Sequence, residues 1–523
     1  MPLAALVWGG VIWGSLGPSL GFSRQEAGLW AAVGGGVLCV SPFLVRLGTK
    51  ALRDGRARRT SLGLWFAAVA AAAAWAAGYA VGAAHLTQDT AGPVGELLTE
   101  GGATNAVLEI TADPRPQRAS GAGSSGKRYV VEARLLEATR AGLRFSASVR
   151  VILTGGEALA RATAGDIVEA PARVRPASAG GKPFVVLAGA PRSVGHSEAA
   201  AFPAQAREAL RRHAASLPAD AAGLVPALAT GDRSGLDLQL EEDMRAAGLA
   251  HLSAVSGANF AIVLGSVAVA LRLARCPRWG VVSASGLTLV AFVAVVGPEP
   301  SVLRAAGMGS IALLAVAAGR GGAACSALCA AVVALLLADP SLALSLGFLL
   351  SVLATVGIAL LSPRLAEALS TYLPRWISLA IAVPLSAQLL CGPALVFVRP
   401  ELQAWSLAAN ILAAPVVPFL TVFSTLALAT GLVAPALASA AIAVAAPPAL
   451  LLAAIAHTVA GLPGAGIPWP EGPLGAAAMG FTSVFTACAV LGAADPRVRR
   501  GAGQLARAVR GVATGRGPLP ADG

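Results

Sequence analysis

The sequence predicts a polytopic α-helical membrane protein of about 12 spans, some broken or re-entrant, with an inserted extracytoplasmic small β-barrel. Three features predict it. The 523-residue chain is 56% hydrophobic and 13% charged, with a mean hydropathy of +0.71, which leaves too little polar surface for a water-soluble globule of that size. Apolar runs of about 20 residues, the length of a helix that crosses a hydrocarbon core, recur between short stretches of charge. Between His85 and roughly Ala222 the hydrophobicity stops, and the chain becomes rich in Gly, Pro and Arg with short alternating segments.

Three apolar runs precede that insertion, at about 3–21, 28–45 and 62–84, and about nine follow it, starting near Leu252, 280, 302, 323, 342, 377, 404, 436 and 474. Met1-Pro2-Leu3 has no basic n-region, so the first run reads as a retained span. The chain thus divides into an N-terminal membrane region (1–85), an extracytoplasmic domain with its linker (86–222), a second membrane domain (223–492) and a basic tail (493–523).

Orientation follows from the arginines. The loop with Arg46, Lys50, Arg53, Arg56, Arg58 and Arg59 is the most basic early one, and the positive-inside rule places it in the cytoplasm. The insertion then lies outside. Counting onward puts Arg272, Arg275 and Arg278 inside, and the C-terminal arginines, Arg497 to Arg516, inside against anionic lipid. All six cysteines lie in or beside apolar runs and none lies in the insertion, which predicts no disulfides.

Within the insertion, Ala106–Ile110, Tyr129–Leu136, Arg144–Leu153, Asp166–Val174 and Pro183–Leu187 read as short strands, most of them bounded by turn residues. Five short strands point to an OB-like barrel, a fold that often offers a groove to single-stranded nucleic acid. From Arg115 to Arg192 there are thirteen basic residues against five acidic ones, a balance of +8. Such a groove tracks a phosphate backbone, with Lys127, Arg128, Arg144, Arg173, Arg175 and Lys182 as candidate contacts and Tyr129 and Phe145 as candidate stacking groups. A basic domain facing lipid headgroups is the competing reading.

After the insertion come Leu224-Val225-Pro226-Ala227-Leu228-Ala229-Thr230-Gly231-Asp232-Arg233-Ser234 and then Gly248-Leu249-Ala250-His251-Leu252-Ser253-Ala254-Val255-Ser256-Gly257-Ala258-Asn259. His251, Ser253, Ser256 and Asn259 cluster at the head of an otherwise apolar segment. Polar groups at membrane depth face protein or water, and Gly257 allows a bend or a close approach. Between the two blocks, Leu236, Leu240, Met244 and Ala247 share one face of a predicted interfacial helix, with Glu241, Glu242 and Asp243 elsewhere and Ser234 with Asp237 as a capping box. Those acids read as a solvated face, and no metal or other cofactor is expected.

The two blocks resemble the signature of the ComEC family of competence channels, with Asn259 where many members carry histidine. Val302-Leu303-Arg304-Ala305-Ala306-Gly307-Met308, Asp339-Pro340 with Gly347-Phe348-Leu349-Leu350-Ser351, Pro384-Leu385-Ser386-Ala387-Gln388 and Ala409-Asn410-Ile411-Leu412-Ala413-Ala414-Pro415 are similar to further family motifs, Leu349 standing where glutamine is usual. The resemblance implies a channel that takes up single-stranded DNA across the cytoplasmic (inner) membrane of a bacterium during natural transformation. Its path would run past His251, Ser253, Ser256, Gly257, Asn259, Arg304, Gln388 and Asn410. Expected partners are single-stranded DNA, membrane lipids, a DNA receptor outside and an ATP-driven translocase inside, with self-association left open.

Many members of that family end in a metallo-β-lactamase-like domain, which needs a dense histidine and aspartate cluster. Here the five histidines, His85, His196, His213, His251 and His457, are scattered, and the three lysines lie outside any P-loop context. The expectation is therefore the form without that domain, with no enzymatic activity and with energy supplied from elsewhere. A secondary transporter of a small or lipidic solute is the main rival, since proline-broken helices serve both. A hydrolase using His251 with Ser253 or Ser256 fares worst, because no acidic partner is apparent.

Overall fold

Alternation with period two builds the barrel. In β1 (Gly102–Ile110) Ala106, Leu108 and Ile110 point inward, and in β5 (Asp166–Arg175) Val168, Ala170, Ala172 and Val174 do the same. Between them in sequence lie β2 (Arg115–Gln117), β3 (Arg128–Arg140) and β4 (Leu143–Gly155), and after them β6 (Phe184–Leu187) and β7 (Arg192–His196). The sheet order is β1-β3-β4-β6-β5, and β5 pairs back onto β1, so five strands close on themselves. Only β4 and β6 run parallel. Leu108, Leu135, Val151, Leu153 and Val185 fill the interior, and a short 3-10 helix, Glu157–Arg161, adds Leu159 to it. Each of the five expected strands lies in one of these five. The short β2 and β7 escape sequence reading because one is three residues long and the other is exposed throughout.

The structure, a computed structural model, describes residues 7–9, 11, 12, 96–98, 100–111, 114–117, 128–140, 143–163, 165–175, 183–253, 257–296, 300–317 and 324–494. The runs at 28–45 and 62–84, most of the run at 3–21, and the tail arginines lie outside them.

Fourteen helices follow the barrel among the described residues: α1 (Glu198–Ala214), α2 (Ala219–Thr230), α3 (Leu238–Ala246), α4 (Gly257–Leu273), α5 (Arg278–Val296), α6 (Pro300–Ala317), α7 (Ala324–Ala338), α8 (Leu346–Leu360), α9 (Ser362–Leu369), α10 (Arg375–Val398), α11 (Ser406–Ala413), α12 (Val416–Thr430), α13 (Pro435–Ala460) and α14 (Gly472–Ala493). Among the described residues α5, α10, α13 and α14 are long and apolar enough to cross a membrane, and two bent pairs, α8 with α9 (45°) and α11 with α12 (54°), raise that to six. Each of the nine downstream apolar runs contains an α-helix among the described residues, but several of these helices are shorter than a full crossing. The protein is a membrane protein with several such helices and a barrel.

Two compact units divide the chain. The first holds Met1–Glu242, Ala250–Leu349 and Val416–Ala454, and the second Asp243–Leu249, Leu350–Pro415 and Ile455–Gly523. Within the first, two arginines fasten the barrel to the helices: Arg115 Nη2 donates to Gly231 O (3.4 Å), and Arg150 Nη2 lies 3.5 Å from Asp339 Oδ2. Arg207 donates to the last carbonyls of α5, Val295 O and Val296 O, at 3.0 and 3.2 Å, the groups that a helix end leaves without an intrahelical partner. One contact runs against the span count, which puts residues 431–434 on the face opposite the insertion. His213 Nδ1, on α1, lies 3.3 Å from Ser439 Oγ, so simple alternation of spans does not describe the bent pair preceding α13. In the second unit α8 and α10 approach so closely that a Cβ on Gly357 would meet Ser386 O at 2.5 Å, the small-residue crossing common in membrane helices.

The helix expected between the two blocks forms as α3, and Leu236, Leu240, Met244 and Ala247 are all buried. Its start differs from the expected capping box. Asp237 caps alone, Oδ2 accepting from Gln239 N (3.0 Å) and Leu240 N (3.4 Å), while Ser234 N turns away to Asp232 Oδ1 (2.9 Å).

Candidate functional site

The polar cluster begins where α2 stops. α2 is buried from Gly223 to its end, and Gly231, at φ +76°, returns its N–H to Ala227 O at 2.9 Å. Glycine takes that left-handed conformation without steric cost. Thr230 Oγ1 donates to Pro226 O (3.0 Å) and accepts from Asp232 N (3.3 Å). Asp232 is only 8% exposed. A carboxylate is tolerated there because it receives Ser234 N and stands 3.3 Å from Arg211 Nη1 of α1.

Arg233 faces the opposite way. Its Nε donates to Ser253 O at 2.8 Å, and its Nη1 is 3.6 Å from Glu241 Oε1 of α3. Ser253 is itself buried and donates from Oγ to Ala250 O (3.0 Å). Asn259, 0% exposed at the head of α4, donates from Nδ2 to Leu228 O at 3.4 Å. These two bonds tie Arg233 of the Gly231-Asp232-Arg233-Ser234 turn to Ser253, and Leu228 of α2 to the head of α4. His251 stands exposed, and Ser256 lies outside the described residues. Gly257 has ordinary room among the described residues, since a Cβ there would sit 3.9 Å from Ala305 Cβ of α6, so of the two uses expected of it, a bend or a close approach, the second is not seen there. Arg304, whose side chain lies outside the described residues, neighbours that Ala305 in the chain.

The remaining two expected path residues belong to the second unit. Gly248, at φ +73°, closes α3, and its carbonyl accepts from Asn410 Nδ2 at 3.4 Å. Asn410 also donates to Ser406 O (2.8 Å), and Gln403 Nε2 donates to Arg245 O (2.9 Å). A side chain on Gly248 would collide with Ser406. Asn410 is therefore a brace for this turn. Gln388 lies half-buried in α10 and makes no side-chain hydrogen bond among the described residues.

A family model described as Competence protein matches residues 228–494, just over half of the chain. The chain belongs to the competence protein family. No curated protein and no solved structure shows a significant match. The matched segment of this competence protein starts inside α2 and takes in both polar turns and every expected path residue.

The barrel lies before that match. Of its expected contacts, Arg128, Arg144, Arg173 and Arg175 are exposed, Tyr129 and Phe145 half-buried, and Lys127 and Lys182 outside the described residues. The described ones do not gather at one end of the barrel. Arg175 pairs with Phe184 across β5 and β6, and Tyr129 stands opposite Gly155 at one end of the β3–β4 hairpin. Arg144 and Phe145 pair with Thr139 and Ala138 at the other end, about 30 Å away at the rise of a strand. Three other barrel arginines are already engaged with protein: Arg115 and Arg150 as above, and Arg134, 3.5 Å from Glu109. Sequence reading missed Arg211, Arg233, Gln403 and Ser406, because each acts on a partner distant in the chain and nothing in local spacing marks such a bond.

Proposed function

We propose that this competence protein is a channel that carries DNA as a single strand across the cytoplasmic membrane of a bacterium during natural transformation. The observation that carries the proposal is the joining of two family motif blocks into one polar turn at the heads of apolar helices, with the barrel fastened to that turn by Arg115. Polar groups so placed in a membrane protein mark pathways.

The barrel supports a receiving role. Taking β1, β3, β4, β5 and β6 as strands one to five, the order 1-2-3-5-4 with closure onto strand one is that of an OB-like barrel. OB folds bind on strands two and three and on the loops after strands one and four, and Lys127, Arg128, Arg175 and Lys182 lie in or beside those two connections. The full reading has about 12 spans, phosphate contacts at the barrel, an external DNA receptor, an internal ATP-driven translocase and no catalytic step in this chain.

Full-length protein in lipid vesicles, oriented with the barrel outside and supplied with an inward gradient or translocase, tests it. Labelled single-stranded DNA is expected to enter a nuclease-protected lumen while an equal length of duplex does not. Equal exclusion of both would overturn the channel.

A further inference from the structure

Helix α12 carries polar groups that no family motif quoted above includes. Thr421, Ser424 and Thr425 stand at i, i+3 and i+4, one face of the helix. Thr421 is 1% and Ser424 0% exposed, and the hydroxyl of Thr425 is equally enclosed. None of the three hydroxyls has a hydrogen-bond partner among the described residues.

That differs from many other hydroxyls of the helices, Thr430 of α12 itself included, although Ser285 of α5 is likewise buried without a partner among the described residues. Thr230, Thr288, Ser310, Thr355, Ser386, Thr430 and Thr486 all donate to the carbonyl four residues back, which is how an apolar helix carries such a side chain. Thr421, Ser424 and Thr425 make no such bond. Each forfeits about 1–3 kcal/mol if it stays dry, and a buried group of this kind calls for water or a ligand. Helix α12 packs within the first unit on α1, α2 and α4; Thr230 ends α2, Asn259 stands at the head of α4, and Arg211 of α1 faces Asp232.

We propose that Thr421, Ser424 and Thr425 line a hydrated stretch of the translocation path, where neutral hydroxyls donate to the phosphates of a passing strand. The inference rests on the channel reading and gives it a wall. Neutral donors suit a polyanion in transit, since conduction needs binding weak enough to release, whereas arginines at that depth would hold each phosphate.

The test uses full-length protein in vesicles with its native cysteines replaced. The Ser424→Cys and Thr421→Cys variants are treated with a small, water-soluble, membrane-impermeant thiol reagent, beside Ala445→Cys as a buried apolar control. Ser424→Cys is expected to react at least about tenfold faster than the control, because the reactive thiolate forms only where water reaches it, and its modification is expected to stop entry of single-stranded DNA. If both α12 variants react as slowly as Ala445→Cys while melting like the parent protein, the hydrated wall is overturned. Rapid labelling with DNA entry unchanged also overturns it as the DNA path. Loss of DNA entry in the unmodified parent would instead overturn the channel reading and leave the hydration result standing.

Discussion

Arg233 joins three segments that sequence alone leaves apart: its own turn, Ser253 in the next motif block and Glu241 on α3. A charged donor to a carbonyl in a partly buried site contributes about 1.5–3 kcal/mol, and the planar fork is what lets one side chain meet both partners. The Arg233→Ala variant is therefore expected to melt lower in detergent and to lose DNA uptake, with Arg233→Lys intermediate; a lysine variant equal to the parent in both would remove the fork from the explanation. Gly248 obeys a stricter rule. Its φ of +73° costs a side chain about 1–2 kcal/mol, and Ser406 leaves no room for a Cβ. Gly248→Ala is expected to lower the melting temperature more than Gly257→Ala, whose Cβ has space; thermal-shift comparison of the pair checks it. Arg304 is expected to serve the path, so that Arg304→Ala and Arg304→Gln abolish uptake while surface DNA binding persists. Normal uptake in Arg304→Gln would remove it from the path.

At the scale of elements, the barrel strands were legible because alternation is a local signal, strong wherever one face is buried. Closure was not, since no short window reveals that β5 returns to β1. The docking of the barrel is also non-local, and the Arg150–Asp339 pair carries a prediction. Asp339 caps its own 3-10 turn by accepting from Ser341, so Asp339→Arg alone loses a cap as well as a charge pair. Arg150→Asp is expected to reduce uptake, and the combined swap with Asp339→Arg to recover part of it. A double variant worse than both singles would show that this contact does not hold the barrel. Proline-broken helices were anticipated: the break between α11 and α12 falls beside Pro415, whereas Pro384 and Pro393 sit inside α10, which runs as one helix, and the 45° bend between α8 and α9 was not anticipated.

For the whole molecule, charge sets behaviour. A net charge of +12 favours association with polyanions and anionic lipid alike, and salt separates specific phosphate contact from general attraction. Binding of single-stranded DNA to the full-length protein is expected to weaken as salt rises. Removing Arg128 and Arg175 together should lower the log–log slope by about 1.4, at about 0.7 per phosphate on a single strand. An unchanged slope would place the DNA contacts elsewhere and favour the headgroup reading of the barrel.

The sequence by itself determined the membrane class, the five barrel strands and the family. These depend on composition, on periodicity over a few residues and on contiguous motifs, all of which survive without knowledge of what packs against what. Tertiary structure alone decided that Arg115, Arg134 and Arg150 are spent on protein contacts, that Asn410 braces a turn, that Arg144 lies far from Tyr129, and that three α12 hydroxyls are buried without partners among the described residues. In each case the deciding quantity is a distance between groups remote in the chain. The side-chain chemistry is written locally, but the partner that gives it a role is supplied only when the helices and strands close on one another.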